Sequence, residues 1–137
     1  MATLSNAIAQ VQSLVRGLAG VRDAPDYPPE KASAFPFAVA YPGTGRWVGG
    51  APAGEKRGLH TIIVELHVAR KDLPRDVEGA MGYVESIPNA ILNAPTLSGT
   101  VDTVNEIRYT FGALNYGDLQ TIGYRFEVDI KQRSAVT

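Results

Sequence analysis

The chain contains no cysteine. That excludes disulfides and thiolate metal sites and is compatible with a cytosolic origin. No apolar run approaches the ~20 residues that cross a bilayer, so no membrane partner is expected. The opening MATLSNAIAQVQSLVRGLAG lacks an early basic cluster ahead of an apolar core, so no signal peptide is expected. A basic excess is missing too: the net charge is −1. Phosphate-backbone binding needs such an excess, which argues against nucleic acid as the main partner. Histidine is scarce. His60 and His67 lie seven apart on one expected strand and so point to opposite faces. Glu65 joins His67 on one face, but two ligands are too few for zinc. There is no G-x-S-x-G elbow. Gly43-Thr44-Gly45 leads into Arg-Trp-Val, not into Lys-Ser/Thr and a helix, so it is not a phosphate loop. No catalytic residue, cofactor or metal is expected, and the protein is not expected to be an enzyme.

What is present suits one domain over residues 1–137, with 45% hydrophobic residues. Leu4, Ile8, Val11, Leu14, Val15 and Leu18 recur at helical spacing, with Thr3 or Ser5 as cap. A polar, proline-rich connector follows over 22–33. Phe35, Phe37, Val39 and Tyr41 alternate with small residues, which predicts a strand with a bulky face and a small face. Residues 59–69 read as a second strand. Asp72 can cap a second helix with Val77, Met81 and Val84 on its buried stripe, and Pro88 predicts a break at Ile87. Residues 103–111 and 121–131 read as strands around a loop at 112–120, and 132–137 as a mobile tail.

The order α-β-β-α-β-β predicts an α+β fold: a mainly antiparallel four-stranded sheet with two helices packed on one face. The other face is expected to be small and charged, carrying Ala38, Ala40, Glu65, His67, Glu106, Arg108, Arg125, Glu127 and Asp129. Of these, Glu65, His67, Arg108, Arg125, Glu127 and Asp129 are candidates for a subunit interface or the lining of a lumen.

Pro42–Gly58, PGTGRWVGGAPAGEKRG, holds six glycines, two prolines and the only tryptophan. Hairpin connections usually take about 2 to 5 residues, so a flexible loop of this length is either idle or functional. Arg46, Trp47, Val48, Lys56 and Arg57 are the candidate docking residues, since Trp and Arg are enriched where proteins grip each other. The alternatives are a nucleobase stacked on Trp47 beside these basic residues, which the net charge disfavours, and a flexible solvated loop whose tryptophan folds back on its own sheet. If 42–58 is a loop, deleting 44–56 should leave the domain folded.

The succession AFPFAVAYPG, the glycine-rich loop, LHTIIVELHVAR, KDLPRDVEGAMGYVESIP and NYGDLQTIGYRFEVDI resembles the tail terminator (tail completion) proteins of long-tailed bacteriophages, the group that includes the phage lambda terminator. The resemblance covers nearly the whole chain as order and texture. It implies a hexameric ring that caps the tail tube, stops tube polymerisation and meets the head–tail connector, in the virion tail after assembly in the host cytoplasm. Its partners would be copies of itself, the tail tube protein and the connector, with genomic DNA passing through the ring without sequence-specific binding. Another connector or tail-tube component is the alternative reading. A small ligand-binding domain or enzyme with a lid loop is a third.

Overall fold

Helix α1 spans Leu4–Arg16 in the computed structural model, which describes residues 3–49 and 54–136. Thr3 is its N-cap. Thr3 Oγ1 accepts from the Asn6 amide at 3.3 Å, and the Asn6 side chain accepts from the Thr3 amide at 3.0 Å. This reciprocal pair satisfies donors that a helix start otherwise leaves to water. Ala7, Val11, Gln12 and Val15 form its buried stripe.

Strands β1 (Phe37–Val48), β2 (Glu55–Ala69), β3 (Thr103–Tyr116) and β4 (Leu119–Ala135) make one antiparallel sheet in the order β1-β2-β4-β3. Between β2 and β3 the chain forms α2 (Leu73–Ala80) and α3 (Tyr83–Leu92), joined through Met81-Gly82. The fold is therefore α+β in the expected order. The expected break at Ile87 is displaced: Pro88 lies inside α3, and the interruption falls at Met81-Gly82. Pro88 gives up one helical hydrogen bond, but Ile87 and Ile91 are fully buried and their packing holds the turn. Met81, expected on the buried stripe, is exposed. Asp72 makes no capping hydrogen bond; Asp76 instead reaches back to accept from the amides of Lys71 and Asp72 at 2.8 and 3.0 Å.

Register assigns the faces, because directly paired residues share a side. Ile62, Val64 and Leu66 of β2 join Tyr124, Phe126, Val128 and Ile130 of β4 beneath the helices. On β1 the expected assignment is reversed. Ala38 and Ala40 pair with Leu66 and Val64 and lie in the core, while Phe37, Val39 and Tyr41 share the open face with His67, Glu65 and Ile63. Small residues let α1 approach the strand closely enough for Gln12 Nε2 to donate to the Ala38 carbonyl at 3.0 Å and the Pro25 carbonyl at 2.7 Å.

Three expected irregular segments are strand. Residues 42–48 and 55–58 of the expected loop belong to β1 and β2, with a bulge between Pro42 and Gly45; residues 50–53 lie outside the described residues. Removing 44–56 therefore takes paired strand rather than slack. The expected loop 112–120 shrinks to a tight turn at Gly117-Asp118, with Gly117 at φ +60°. Of the expected tail, residues up to Ala135 complete β4. Gln132 is buried there and donates to the carbonyls of Thr3 and Thr100, each at 2.9 Å.

Candidate docking surface

Beyond Tyr41, residues 42–49 are all exposed, although β1 stays paired with β2 to Val48 and β2 stays paired with β4 to Ala135. The result is a three-stranded arm. Its two faces differ in chemistry.

The helix-side face of the arm carries Trp47, Lys56 and His60. Trp47 meets the His60 ring edge-on, with centroids 4.5 Å apart, and the Lys56 ammonium lies 4.3 Å from the tryptophan centroid. The tryptophan is thus folded onto its own sheet yet remains 46% exposed. His60 is buried in a bed made by two glycines. A Cβ at Gly45 or Gly58 would overlap its ring. Its Nε2 has no hydrogen-bond partner among the described residues. Burial, with the nearby Lys56 charge, holds the imidazole pKa below its ordinary 6.5.

The opposite face of the arm is basic. Arg57 lies directly across from Arg133, and Leu59 sits between Arg46 and Lys131. Only Arg133 of these cations has an acid partner among the described residues, Asp102 at 3.2 Å. Like charges directly opposite each other disfavour a sheet. Arg57, Lys131 and Arg133 border a cleft of about 350 Å³ that also takes in Val48 and Leu59.

Further along the same face, Arg108 gathers three carboxylates. It reaches Glu106 at 2.8 Å and Glu127 at 3.2 Å, and also bonds Asp129. The hydrogen bond from Arg108 pulls the Asp129 pKa down against the effect of partial burial, and Thr61 Oγ1 donates to Asp129 as well at 2.7 Å.

Beyond this cluster the face closes over. Tyr41 donates to Glu65, Glu65 accepts from His67 Nε2 at 2.8 Å, and His67 Nδ1 meets Thr121 Oγ1 at 2.6 Å. Burial pushes the Glu65 carboxyl up, but the bonds from His67 and Tyr41 together with the Arg125 charge bring it below its usual value. Desolvation and Glu65 push the Tyr41 hydroxyl up to about 12. Hydroxyl, imidazole and carboxylate follow the order of a hydrolytic triad. However, His67 and Thr121 are both 0% exposed. Phe37 and Tyr116 flank the imidazole with ring centroids 6.1 and 5.4 Å away, and the Tyr116 hydroxyl donates to the Pro29 carbonyl of the connector. The chain of bonds fixes the imidazole and gives a substrate no approach.

Of the residues singled out from sequence, Arg46, Trp47, Val48, Lys56 and Arg57 come together on the arm but divide between its faces. Arg108, Glu127 and Asp129 form one cluster. His67 is sealed and cannot line an interface or a lumen; Glu65 is largely covered, while Arg125 stays exposed. Sequence reading missed Arg133 and Lys131 as arm residues, and Thr121 and Tyr116 around His67. The β2–β4 and β3–β4 registers bring these into place.

Acid should weaken the fold in two stages. His60 has a folded pKa below 6.5, so the unfolded chain binds its proton more readily and stability falls as pH drops through and below 6.5. Glu65 and Asp129 have lowered folded pKa values, so their contribution is full above about pH 4 to 4.5 and is lost as pH falls through those values. Urea midpoints measured from pH 8 to 3 should decline in both windows, and His60→Gln should remove the upper one. An unchanged upper decline in that variant would show that His60 is not its source.

No protein-family model matches this chain, and no curated protein matches it.

Proposed function

We propose that the chain is a structural virion protein, the tail terminator of a long-tailed bacteriophage. Copies close into a ring, hexameric by the family resemblance, that caps the tail tube, stops its polymerisation and offers a surface to the head–tail connector. The role is non-enzymatic and needs no cofactor. Genomic DNA passes through the ring without sequence-specific contacts, and the protein ends in the virion tail after assembly in the host cytoplasm.

The arm is the observation that carries this reading. Ordering a strand extension costs about 1–2 kcal/mol of backbone entropy per residue, and this one leaves residues 42–49 exposed. A docking role accounts for it: Trp47 and Val48 offer apolar area, and Arg46, Lys56 and Arg57 offer charge. The element order and the sheet covered on one face by helices support the same reading.

Purified tail tube protein polymerising in the presence of the chain provides the test. The tubes should stop elongating and carry a cap at one end. Trp47→Ala combined with Arg57→Ala, both on exposed side chains, should leave the circular dichroism unchanged. It should weaken capping by about thirtyfold, as loss of a hot spot of about 2 kcal/mol does. Tubes that elongate unchanged with the native chain would contradict the proposal. A chain that itself polymerises into long tubes would be a tube component instead.

A further inference from the structure

The sheet ends in two long free edges. On β1 the connector covers only the start, where the Ala38 amide donates to the Asp23 carbonyl at 2.9 Å. Past it, residues 39–48 have backbone bonds only to β2 among the described residues. On β3, residues 105–116 have backbone bonds only to β4 among the described residues. Open edges of this length are templates for another strand.

The two edges complement each other. Tyr109 and Phe111 of β3 lie on the helix-bearing face, 55% and 40% exposed, with ring centroids 5.9 and 4.9 Å from that of Tyr124. At the β1 edge the same face opens into a groove of about 450 Å³ beside α1, lined by Leu4, Ile8, Tyr27, Ala40 and Pro42. Strands β1 and β3 run antiparallel, so β3 of one copy can extend the β1 edge of the next with both helix layers on one side. One register satisfies the pleat throughout. Tyr109 beside Pro42 and Phe111 beside Ala40 bring both rings to the groove. The bulge after Pro42 adds one residue to β1, so beyond it Arg46 comes beside Glu106. Arg46 has no ion-pair partner among the described residues, and Glu106 shares the single guanidinium of Arg108 with two other carboxylates.

We propose that this edge-to-edge contact, β3 of one copy on β1 of a second, is how the chain associates with itself. The two surfaces differ, so every copy uses both and the series closes only as a ring. The inference deepens the ring proposal and assigns Arg46 to the join between copies, leaving Trp47 and Arg57 to face the tube.

The absence of cysteine gives a clean cross-linking test. Thr44 and Thr110 are exposed on the two edges. The double variant Thr44→Cys/Thr110→Cys, treated with a short bis-maleimide at high protein concentration, should give a ladder of covalent oligomers with a fixed upper limit. Each single variant should give only monomer. Tyr109→Lys with Phe111→Lys should keep the circular dichroism and reduce the ladder at least tenfold. Arg46→Glu and Glu106→Arg should each reduce it, and together restore it. Dimers from Thr110→Cys alone would overturn the proposal in favour of a two-fold β3–β3 contact. A closed oligomer seen by native mass spectrometry without any ladder would overturn this join and leave the ring standing. A ladder without upper limit would keep the join and overturn the closed ring. A chain that stays monomeric and unlinked overturns the join.

Discussion

Phe126→Ala is expected to lower the unfolding free energy by about 3–5 kcal/mol, the usual cost of deleting a buried aromatic side chain. Phe126 is fully buried at the centre of β4, between β2 and β3 and beneath the helices. Its ring lies 5.5 Å from Tyr124 and 6.2 Å from Tyr109, centroid to centroid. Both of its sheet neighbours are held in ladders, so the cavity left by truncation has little freedom to collapse. The urea midpoint measures the effect. A loss below about 1 kcal/mol would mean that β4 is out of register, because a one-residue slip would carry the ring to the open face.

Gly123→Ala should cost about 3 kcal/mol, at the upper end of overpacking penalties. A Cβ at this position would overlap the Leu66 carbonyl and come within 3.4 Å of the His67 Cα. Both are backbone atoms of β2, so no side-chain rotation relieves the clash. The internal control is the neighbouring glycine in the same row. Gly112 pairs with Gly123 across β3–β4, and a Cβ there meets nothing within 4 Å. Gly112→Ala should change stability by less than about 0.5 kcal/mol. Equal losses in the two variants would contradict the close approach of β2 and β4 at this row.

Strand β4 was readable because Ile122, Tyr124, Phe126, Val128 and Ile130 alternate with polar residues, as a strand buried on one face does. In β1 the alternation of bulky and small residues was equally plain, but it does not say which set faces the helices. The need for α1 to reach Ala38 decided that, and this need is a tertiary fact. Proline and glycine made residues 42–58 look like a loop. Pairing with the strongly β-forming β2, itself anchored along β4, overrode that local signal. Helix α3 shows the same override, where burial of Ile87 and Ile91 outweighs Pro88. The docking residues were legible as a cluster of unusual types. Their division between two faces, and the addition of Lys131 and Arg133, required the register across three strands.

Tail length is the most direct measurement of the central claim. If the chain is a tail terminator as proposed, electron micrographs of phage lysates lacking it should show tails of irregular and excessive length that fail to join heads. Supplying the native chain should restore one length, and supplying the Trp47→Ala/Arg57→Ala variant should not. Tails of normal, uniform length made without the chain would contradict the account.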